Sequence, residues 1–329
     1  MNVAIFVPHS GCPHQCSFCN QSIISGQNYE PSSEEVKETI ETALSHMGNE
    51  SGNAEIAFFG GSFTAIDREK MLSYLKTAYK YVKPGYFRGI RVSTRPDSID
   101  CDILDILKEH GVTSIELGAQ SMDDNVLILN RRGHTSRDVE NASALIKEYG
   151  FSLGLQMMTG LYGDSDALSL VTAKKLIELK PDTIRIYPTL VLRGTYLHNL
   201  YTNGKYMPES LDEAVGLCVQ LKEMFIGAGI RVIRVGLHAG NSLERDLITG
   251  PYHPAFGELT ESRCMYEKAI EMLSKKPGRV IAVNGRDLSK MLGQKKENLE
   301  KLKAAGYDVS VVRDNNVGIN DIELRNERR

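Results

Sequence analysis

The feature that most constrains the fold of this 329-residue chain is a regular alternation of short apolar stretches with helical stretches. An apolar stretch of five to eight residues predicts a buried strand, and a longer stretch with 3.6-residue periodicity predicts a helix. The predicted strands are residues 3–7, 54–59, 89–94, 114–119, 151–158 and 183–187. The predicted helices are residues 32–47, 67–81, 99–110, 136–149 and 166–179. Strands and helices that alternate in this way indicate a parallel sheet with crossover helices, and hence the α/β class.

A seventh helix–strand pair follows, over residues 209–227 and 230–235, and the pattern changes from about residue 241. The later predicted elements are a helix at 261–274, a strand at 279–283, a helix at 286–304 and a strand at 308–313. The sequence therefore predicts a core domain over residues 1–240 and a small C-terminal α/β extension over residues 241–329 that covers it.

Three cysteines stand directly after the first predicted strand. Cys12, Cys16 and Cys19 have the spacing C-x3-C-x2-C on one short segment. Three ligands are one fewer than a structural zinc site usually takes, but they suit a four-iron cluster whose fourth iron stays open. A zinc loop completed by His9 or His14, or a chance cluster, is the alternative.

Polar and glycine residues stand at the carboxyl ends of the other predicted strands. Gly60-Gly61-Ser62 follows the second strand, and glycine there would let a ligand approach the backbone closely. The third strand ends at Ser93-Thr94, the fourth reads Glu-Leu-Gly-Ala-Gln120-Ser, and Gln156 lies in the fifth. The ends of parallel strands meet at one edge of a sheet, where α/β proteins place their chemistry.

These motifs resemble the radical S-adenosylmethionine (SAM) enzymes, which carry C-x3-C-x2-C with an aromatic residue, here Phe18, before the last cysteine. The resemblance implies a partial, open (β/α)6 radical SAM barrel. It also implies a 4Fe-4S cluster bound by the three cysteines, and SAM as second cofactor, cleaved reductively to a 5′-deoxyadenosyl radical.

The resemblance also implies which residues contact SAM. Phe18 would cover the cluster or stack on the adenine, and Gly60, Gly61 and Ser62 would bind the amino group. Ser93, Gln120 and Gln156 would face the ribose. Arg132 in Leu-Asn-Arg-Arg-Gly-His-Thr would hold the carboxylate, because a guanidinium offers a planar fork of donors, although neighbouring Arg131 leaves the register open.

The stretches ELGAQS and RIYPTLVLRGT resemble most closely the group that contains the elongator catalytic subunit, with oxygen-independent coproporphyrinogen oxidases as more distant relatives. That resemblance covers roughly residues 1–275 and favours a substrate in tRNA. Two features depart from it: the first two cysteines are much closer together here, and we expect no acetyltransferase domain, because the chain leaves no room for one.

Candidate substrate contacts are Glu116, Arg185 and Tyr187 at strand ends, with Tyr252 and His253 held more loosely. Arg193 and the lysines at 295, 296, 301 and 303 are candidate phosphate contacts, and Lys296 and Lys303 would share a face of the helix predicted over 286–304. Residues 275–329 hold 13 Lys and Arg against 8 Asp and Glu, whereas the whole chain has a net charge of −3, so the tail alone is mildly basic.

The composition is that of a cytoplasmic enzyme. No apolar run is long enough to span a bilayer, the amino terminus lacks a secretory pattern, and Cys101, Cys218 and Cys264 are too widely spaced for a second cluster. The expected partners are SAM, an external electron donor such as flavodoxin or ferredoxin, and tRNA, with no membrane. A radical SAM enzyme acting on a small, porphyrin-like metabolite and a non-catalytic iron–sulfur protein are the alternatives.

Overall fold

A computed structural model describes residues 2–7, 12, 14–27, 29–276 and 278–326. In chain order its strands are Asn2–Val7 (β1), Glu55–Gly60 (β2), Gly89–Thr94 (β3), Val112–Gln120 (β4), Ser152–Thr159 (β5), Thr183–Pro188 (β6), Val191–Leu192 (β7), Arg231–Val235 (β8), Leu247–Thr249 (β9), Val280–Val283 (β10), Ser310–Arg313 (β11) and Ile322–Arg325 (β12).

The helices of the same ranges are, in chain order, Gln21–Ser25 (α1), Ser33–Met47 (α2), Arg68–Tyr79 (α3), Cys101–Glu109 (α4), Asp124–Leu129 (α5), Ser136–Glu148 (α6), Asp166–Glu178 (α7), Tyr196–Thr202 (α8), Leu211–Gly227 (α9), Asn241–Asp246 (α10), Phe256–Lys275 (α11), Leu288–Leu292 (α12) and Glu297–Ala304 (α13). Short 3-10 turns lie at Gly48–Asn53, Phe63–Ala65, Pro96–Ser98 and Gln294–Lys296.

The main sheet is a curled, open half-barrel of seven parallel strands. Its order is β1-β2-β3-β4-β5-β6-β8, so sequence neighbours are spatial neighbours and β1 and β8 form the two edges. This confirms the predicted α/β partial barrel, with the strand predicted at 230–235 paired to β6 as its seventh member.

The two faces of the sheet carry different residues because side chains alternate along a strand. On β3, Ile90 and Val92 point outward into the core between the sheet and its helices. Arg91, between them, points inward and pairs with Glu55 and Glu116 on the neighbouring strands. The inside of the half-barrel is therefore polar, and the apolar core lies outside it.

Three helices begin with a capping box, in which a hydroxyl side chain and an acidic side chain three residues on satisfy each other's backbone amides. The pairs are Ser32 with Glu35 at α2, Thr135 with Asp138 at α6, and Ser210 with Glu213 at α9. The capping boxes define where these helices begin, and the sequence predicted the three starting residues to within two positions.

The C-terminal extension has its own three-stranded sheet, of order β11-β10-β12, and its own apolar cluster around Met265, Ile281 and Leu302. Helix α11 belongs to this cluster but also packs on α9 of the half-barrel. The sequence predicted β10 and β11 but missed β12, whose four residues alternate apolar and charged side chains over a stretch too short to stand out.

The single helix predicted over residues 286–304 is wrong: the chain forms α12, a 3-10 turn and α13 instead. Gly293 lies between them at φ 71°, and Lys295 and Lys296 also have positive φ, at 51° and 66°. The side chain of buried Asn298 holds the break by donating to the carbonyls of Lys290 and Met291. Lys296 and Lys303 therefore do not share a face of one helix.

Candidate functional site

A cavity of about 600 Å³ opens at the carboxyl ends of the barrel strands. All the residues that the sequence analysis expected to hold the cluster or SAM contribute to its lining: Cys12, Cys16, Phe18, Cys19, Gly60, Gly61, Ser62, Ser93, Gln120, Arg132 and Gln156. The cavity has the size of a small-molecule site and combines apolar walls with a few polar groups.

The cysteine segment lines the cavity through Cys12, Cys16 and Cys19, and Ser17 ties it to distant parts of the chain. The Ser17 amide donates to the Asn130 carbonyl at 3.0 Å, and the Ser17 carbonyl accepts from the Leu197 amide at 2.7 Å. The Ser17 hydroxyl also donates to the Asn130 side chain at 2.6 Å. These bonds hold the segment between α5 and α8.

The three thiols differ in exposure: Cys16 is buried, Cys19 half-buried and Cys12 exposed. Burial, together with the neighbouring Cys16 and Cys12, raises the pKa of Cys19 to about 12, against a smaller lowering by Arg132. Within the described ranges no three His, Cys, Asp or Glu side chains converge on one point, as the ligands of a single metal ion must. Cysteines that each bind a different iron of a cluster need not converge in that way.

Of the two histidines considered as zinc ligands, the structure describes only His14. His9 lies outside the described residues. His14 lines the cavity beside Gly133, whose φ of 71° and missing Cβ make room for the imidazole, since a Cβ there would lie 2.2 Å from His14 Cδ2.

Gly60 closes the contact between β1 and β2 where the two strands end. It has φ 113°, and a Cβ at this position would lie 2.8 Å from the Val7 carbonyl oxygen. The Gly61 amide donates to the same carbonyl at 2.8 Å, and Gln21 Nε2 donates to the Gly60 carbonyl at 2.5 Å. Next to this turn, the Ser62 hydroxyl lies 3.7 Å from Cys12 Sγ.

Gln120 enters the cavity because β4 is irregular at its end. The β4–β5 register shifts between Gly118 and Gln120, and Gln120 has φ 65°, a strained value for a residue with a side chain. Gly118 leaves the space this requires, because a Cβ there would lie 2.9 Å from Gln120 Nε2 and 3.3 Å from Arg132 Nη2.

Arg132 points into the cavity, whereas Arg131 points away from it. Arg132 Nη1 donates to Cys16 Sγ at 3.1 Å and Nη2 to the Gly118 carbonyl at 2.6 Å. Arg131, at φ 55°, stacks on the Tyr196 ring with its guanidinium carbon 3.4 Å from the ring centre.

Several buried polar atoms at the cavity have no hydrogen-bond partner in the described residues: Ser93 Oγ, Gln120 Oε1 and Arg132 Nε. Buried polar atoms are normally paired, so orphans that share one cavity indicate that a polar ligand completes them. A ligand with both hydroxyl and carboxylate groups fits this set.

Below the cavity a chain of buried ion pairs crosses the inside of the barrel. Arg91 bridges Glu55 and Glu116 at 2.8 and 2.9 Å, and Arg185 holds Glu116 from the other side at 2.9 Å. Gln156 also donates to Glu116 at 3.1 Å. Glu116 is 1% exposed and does not line the cavity, so a substrate in the cavity would not reach it directly. Glu116 contacts Arg185, which does line the cavity.

Other residues predicted to contact substrate lie outside the cavity. Tyr252 donates to Glu244 at 2.8 Å and packs behind the cavity wall, and His253 accepts from the Ala255 amide, so neither reaches the cavity. Arg193 is exposed and pairs with Asp246 at 3.5 Å.

The sequence analysis did not single out the segment from Leu237 to Leu243. This segment follows β8, and its His238 lines the cavity. The rule that applied to the other strands would have found it, because residues after the carboxyl end of a parallel strand face the same edge. Leu190 and Leu192, from the β6–β7 region, form an apolar wall beside it.

Comparisons with known proteins agree with this geometry. The family model of the radical SAM superfamily matches residues 6–172, about half of the chain, and the model of the radical SAM C-terminal domain matches residues 181–266. The chain therefore belongs to the radical SAM superfamily and is an enzyme.

Its relatives include enzymes that act on tRNA. The chain is 27% identical to a tRNA uridine(34) acetyltransferase of Dehalococcoides mccartyi, over 71% of this chain and 58% of that protein. It is 26% identical to Elongator complex protein 3 of Saccharomyces cerevisiae, over 67% of this chain and 47% of that protein. The chain thus spans about half the length of the curated relatives it matches.

Among solved structures, the Elp3 protein of the archaeon Methanocaldococcus infernus, with residues 1–46 deleted, superposes with a TM-score of 0.64 at 22% identity, covering 84% of this chain and 63% of that one. Coproporphyrinogen III oxidase from Escherichia coli gives 0.50 at 16% identity, covering 69% and 52%. These similarities show the shared fold. Within the described residues, no helix has the length and apolar character needed to cross a bilayer.

Proposed function

We propose that this enzyme binds a 4Fe-4S cluster through Cys12, Cys16 and Cys19, binds SAM beside it, and acts on tRNA. The single observation that carries the proposal is the set of orphaned polar atoms of Ser93, Gln120 and Arg132, which share one cavity with the three thiols. When bound, the cluster supplies one electron and an open iron, which in this superfamily serve the reductive cleavage of SAM.

The chain's own residues hold and orient the cofactors. Arg132, 3.1 Å from Cys16 Sγ, offers its free Nε to the carboxylate of SAM next to the cluster. Gln120 and Ser93 offer their unpartnered oxygens to the ribose hydroxyls, with Gln156 beside them. The turn at Gly60, Gly61 and Ser62 lines the cavity beside Cys12 and would offer the Ser62 hydroxyl and backbone oxygens to the amino group. Phe18 lines the cavity on the cysteine side.

The proposal of tRNA as substrate is supported by the relatives named tRNA uridine(34) acetyltransferase, about half of whose length this chain covers. The C-terminal extension supports it less than the sequence predicted, because the lysines do not form one basic helix face. An external one-electron donor, such as flavodoxin or ferredoxin, and a cytoplasmic location are part of the same proposal.

The test is anaerobic reconstitution of the full chain with iron and sulfide, followed by incubation with SAM, dithionite and bulk tRNA. We expect about four irons per chain, formation of 5′-deoxyadenosine, and a mass change in tRNA nucleosides after digestion. Cys12→Ala, Cys16→Ala and Cys19→Ala should each abolish the cluster, whereas Cys101→Ala, at an exposed cysteine away from the cavity, should keep it.

Different results of this test would contradict different parts of the proposal. Stoichiometric zinc and no iron would contradict the cluster. An intact cluster that binds SAM but never yields 5′-deoxyadenosine would favour the non-catalytic alternative. Formation of 5′-deoxyadenosine that responds to a cell-metabolite fraction and not to tRNA would assign the enzyme to a small-molecule substrate.

A further inference from the structure

Two arginines on neighbouring strands lie at the end of the cavity farthest from the cysteine segment in strand order. Arg185 lines the cavity, and Arg234 lies beside Arg185 without lining it. Arg185 of β6 and Arg234 of β8 are register partners, so their side chains leave the sheet at the same level and on the same face. His238 follows β8 and lines the cavity together with Arg185 and Tyr187.

The two guanidiniums have unequal partners. Arg185 is held by Glu116 through two bonds, at 2.9 and 3.1 Å, which fix its plane while Nη1 points to the Tyr187 hydroxyl at 3.5 Å. Arg234 is half-buried and donates through Nε to the Gly236 carbonyl at 3.0 Å, and it has no carboxylate partner among the described residues.

The charges inside the barrel do not balance. Among the described residues, Arg91, Arg185 and Arg234 face two buried carboxylates. Arg91 pairs with both, at 2.8 and 2.9 Å, and neither carboxylate pairs with Arg234. An unpaired cation in a partly buried site is costly unless an anion joins it.

We propose that Arg185, Arg234 and His238 form an anion subsite at the β6–β8 end of the cavity, which binds a carboxylate or phosphate group of the substrate. Tyr187 supplies a hydroxyl to the same group, and Glu116 positions Arg185 without contacting it. The inference rests on the proposed function in taking this cavity as the substrate site, and it adds the chemical class of the substrate.

The electrostatic effects of these residues on one another agree with that assignment. Burial lowers the pKa of Arg234, with Tyr187 opposing this shift and Arg185 adding to it, and burial and then both arginines lower the pKa of His238. Like charges that disfavour each other at close range are stabilised when an anion lies between them.

The subsite is distinct from the place proposed for the SAM carboxylate. Arg132 lies against Cys16 and the end of β4, whereas Arg234 lies on the edge strand β8, with β5 and β6 between them in the sheet. A substrate anion held by Arg185 and Arg234 therefore leaves Arg132 available to SAM.

The test uses the cluster-loaded full chain with SAM and three probes, uridine 5′-monophosphate, inorganic phosphate and propionate, measured by anaerobic isothermal titration calorimetry. We expect at least one probe to bind, and Arg234→Gln to weaken it about tenfold, as the loss of a charged hydrogen bond does. SAM affinity should not change in Arg234→Gln. Arg245→Gln, at an exposed arginine outside the cavity, is the matched control and should leave the probe affinity unchanged.

His238→Ala provides a second variant at a solvent-accessible position, in case Arg234→Gln fails to fold. Binding of the phosphate probes assigns the subsite to a nucleotide phosphate, and binding of propionate assigns it to a carboxylate metabolite; either supports the subsite. Any of three results would overturn the subsite: no binding of any probe at millimolar concentration, unchanged probe affinity in both variants, or loss of probe binding in Arg132→Ala rather than in these variants. Cluster content and SAM cleavage, measured separately, report whether the proposed function itself fails.

Discussion

At the scale of single residues, the site depends on backbone conformations that a sequence does not display. The sequence pointed to Gln120 and to an arginine at 131 or 132, but could not tell which arginine faces inward. That choice follows from Arg131 at φ 55° and Gly133 at φ 71°, which turn the chain after α5 so that consecutive side chains point in opposite directions. The space left by Gly118 then admits Arg132.

The first prediction compares the two arginines. Arg132→Ala should weaken SAM binding to the cluster-loaded protein about tenfold or more, because the bound carboxylate loses its charged partner. Arg131→Ala removes only the contact with the Tyr196 ring and should leave SAM affinity unchanged. Anaerobic equilibrium dialysis with labelled SAM measures both, and the opposite pattern would transfer the carboxylate contact to Arg131.

At the scale of elements, the polar inside of the barrel is assembled across strands and could not be read from any one of them. Arg91 and Glu116 each occupy an inward position and are the only charged residues of their strands, so the sequence presents them as isolated charges. Gly154 of β5 makes the arrangement possible, because a Cβ there would lie 2.7 Å from Glu116 Cγ.

The second prediction concerns Glu116. Glu116→Ala leaves Arg91 and Arg185 buried without the carboxylate between them, and loss of one partner of a buried pair costs about 3–5 kcal/mol. We expect this decrease in the free energy of unfolding of the cluster-free chain in urea. Glu140→Ala, which breaks the exposed pair with Arg137, should cost less than about 1 kcal/mol, and an equal loss in the two variants would contradict a buried ion-pair chain.

The third prediction is a pH dependence at the junction between the β5 exit and α9. Glu209 packs on Gly160, and burial, followed by the charges of Asp166 and Asp164, raises the pKa of Glu209 to about 7. A carboxyl whose pKa is higher in the folded state binds more protons there than in the unfolded chain, so the stability it contributes is lost as the pH rises from about 4.5 to about 7.

Glu209→Gln cannot ionise, so it should melt at a higher temperature than the wild type at pH 8 and show a smaller difference at pH 5. Thermal melts of the cluster-free protein at intervals of one pH unit measure this. Glu223→Gln, at an exposed position on α9, is the control and should follow the wild type. A constant difference between Glu209→Gln and wild type across the range would contradict the raised pKa.

At the scale of the whole molecule, the sequence predicted the order of strands and helices and therefore the edge at which the site lies. It could not predict the break at Gly293, which depends on the tertiary contacts of Asn298, or the return of the chain after β8 that brings His238 to the cavity. The predicted domain boundary between residues 240 and 241 stays a prediction. Helix α11 packs both on the core outside the half-barrel and on the apolar cluster of the C-terminal extension.

The fourth prediction concerns tRNA. If the C-terminal extension contacts phosphates, a chain carrying both Lys296→Gln and Lys303→Gln should bind tRNA more weakly, and the slope of log affinity against log salt should fall by about two, one per lost contact. Lys174→Gln with Lys180→Gln removes two exposed charges from the outer side of the barrel and should leave the slope unchanged. Filter binding between about 50 and 200 mM salt measures it; equal slopes in the two double variants would exclude this surface.

The anchoring of the cysteine segment at Ser17 also determines when the site can be completed during synthesis. The cysteines emerge from the ribosome first, but the groups that hold their segment, at Asn130 and Leu197, are made only after four and six strands of the half-barrel, respectively. Chains are made from the amino terminus, so the thiols remain unanchored while most of the sheet is built. If the proposed cluster is present, its iron and sulfide would therefore be delivered late in the biogenesis of this enzyme. A chain truncated before Leu197 should not hold a cluster stably.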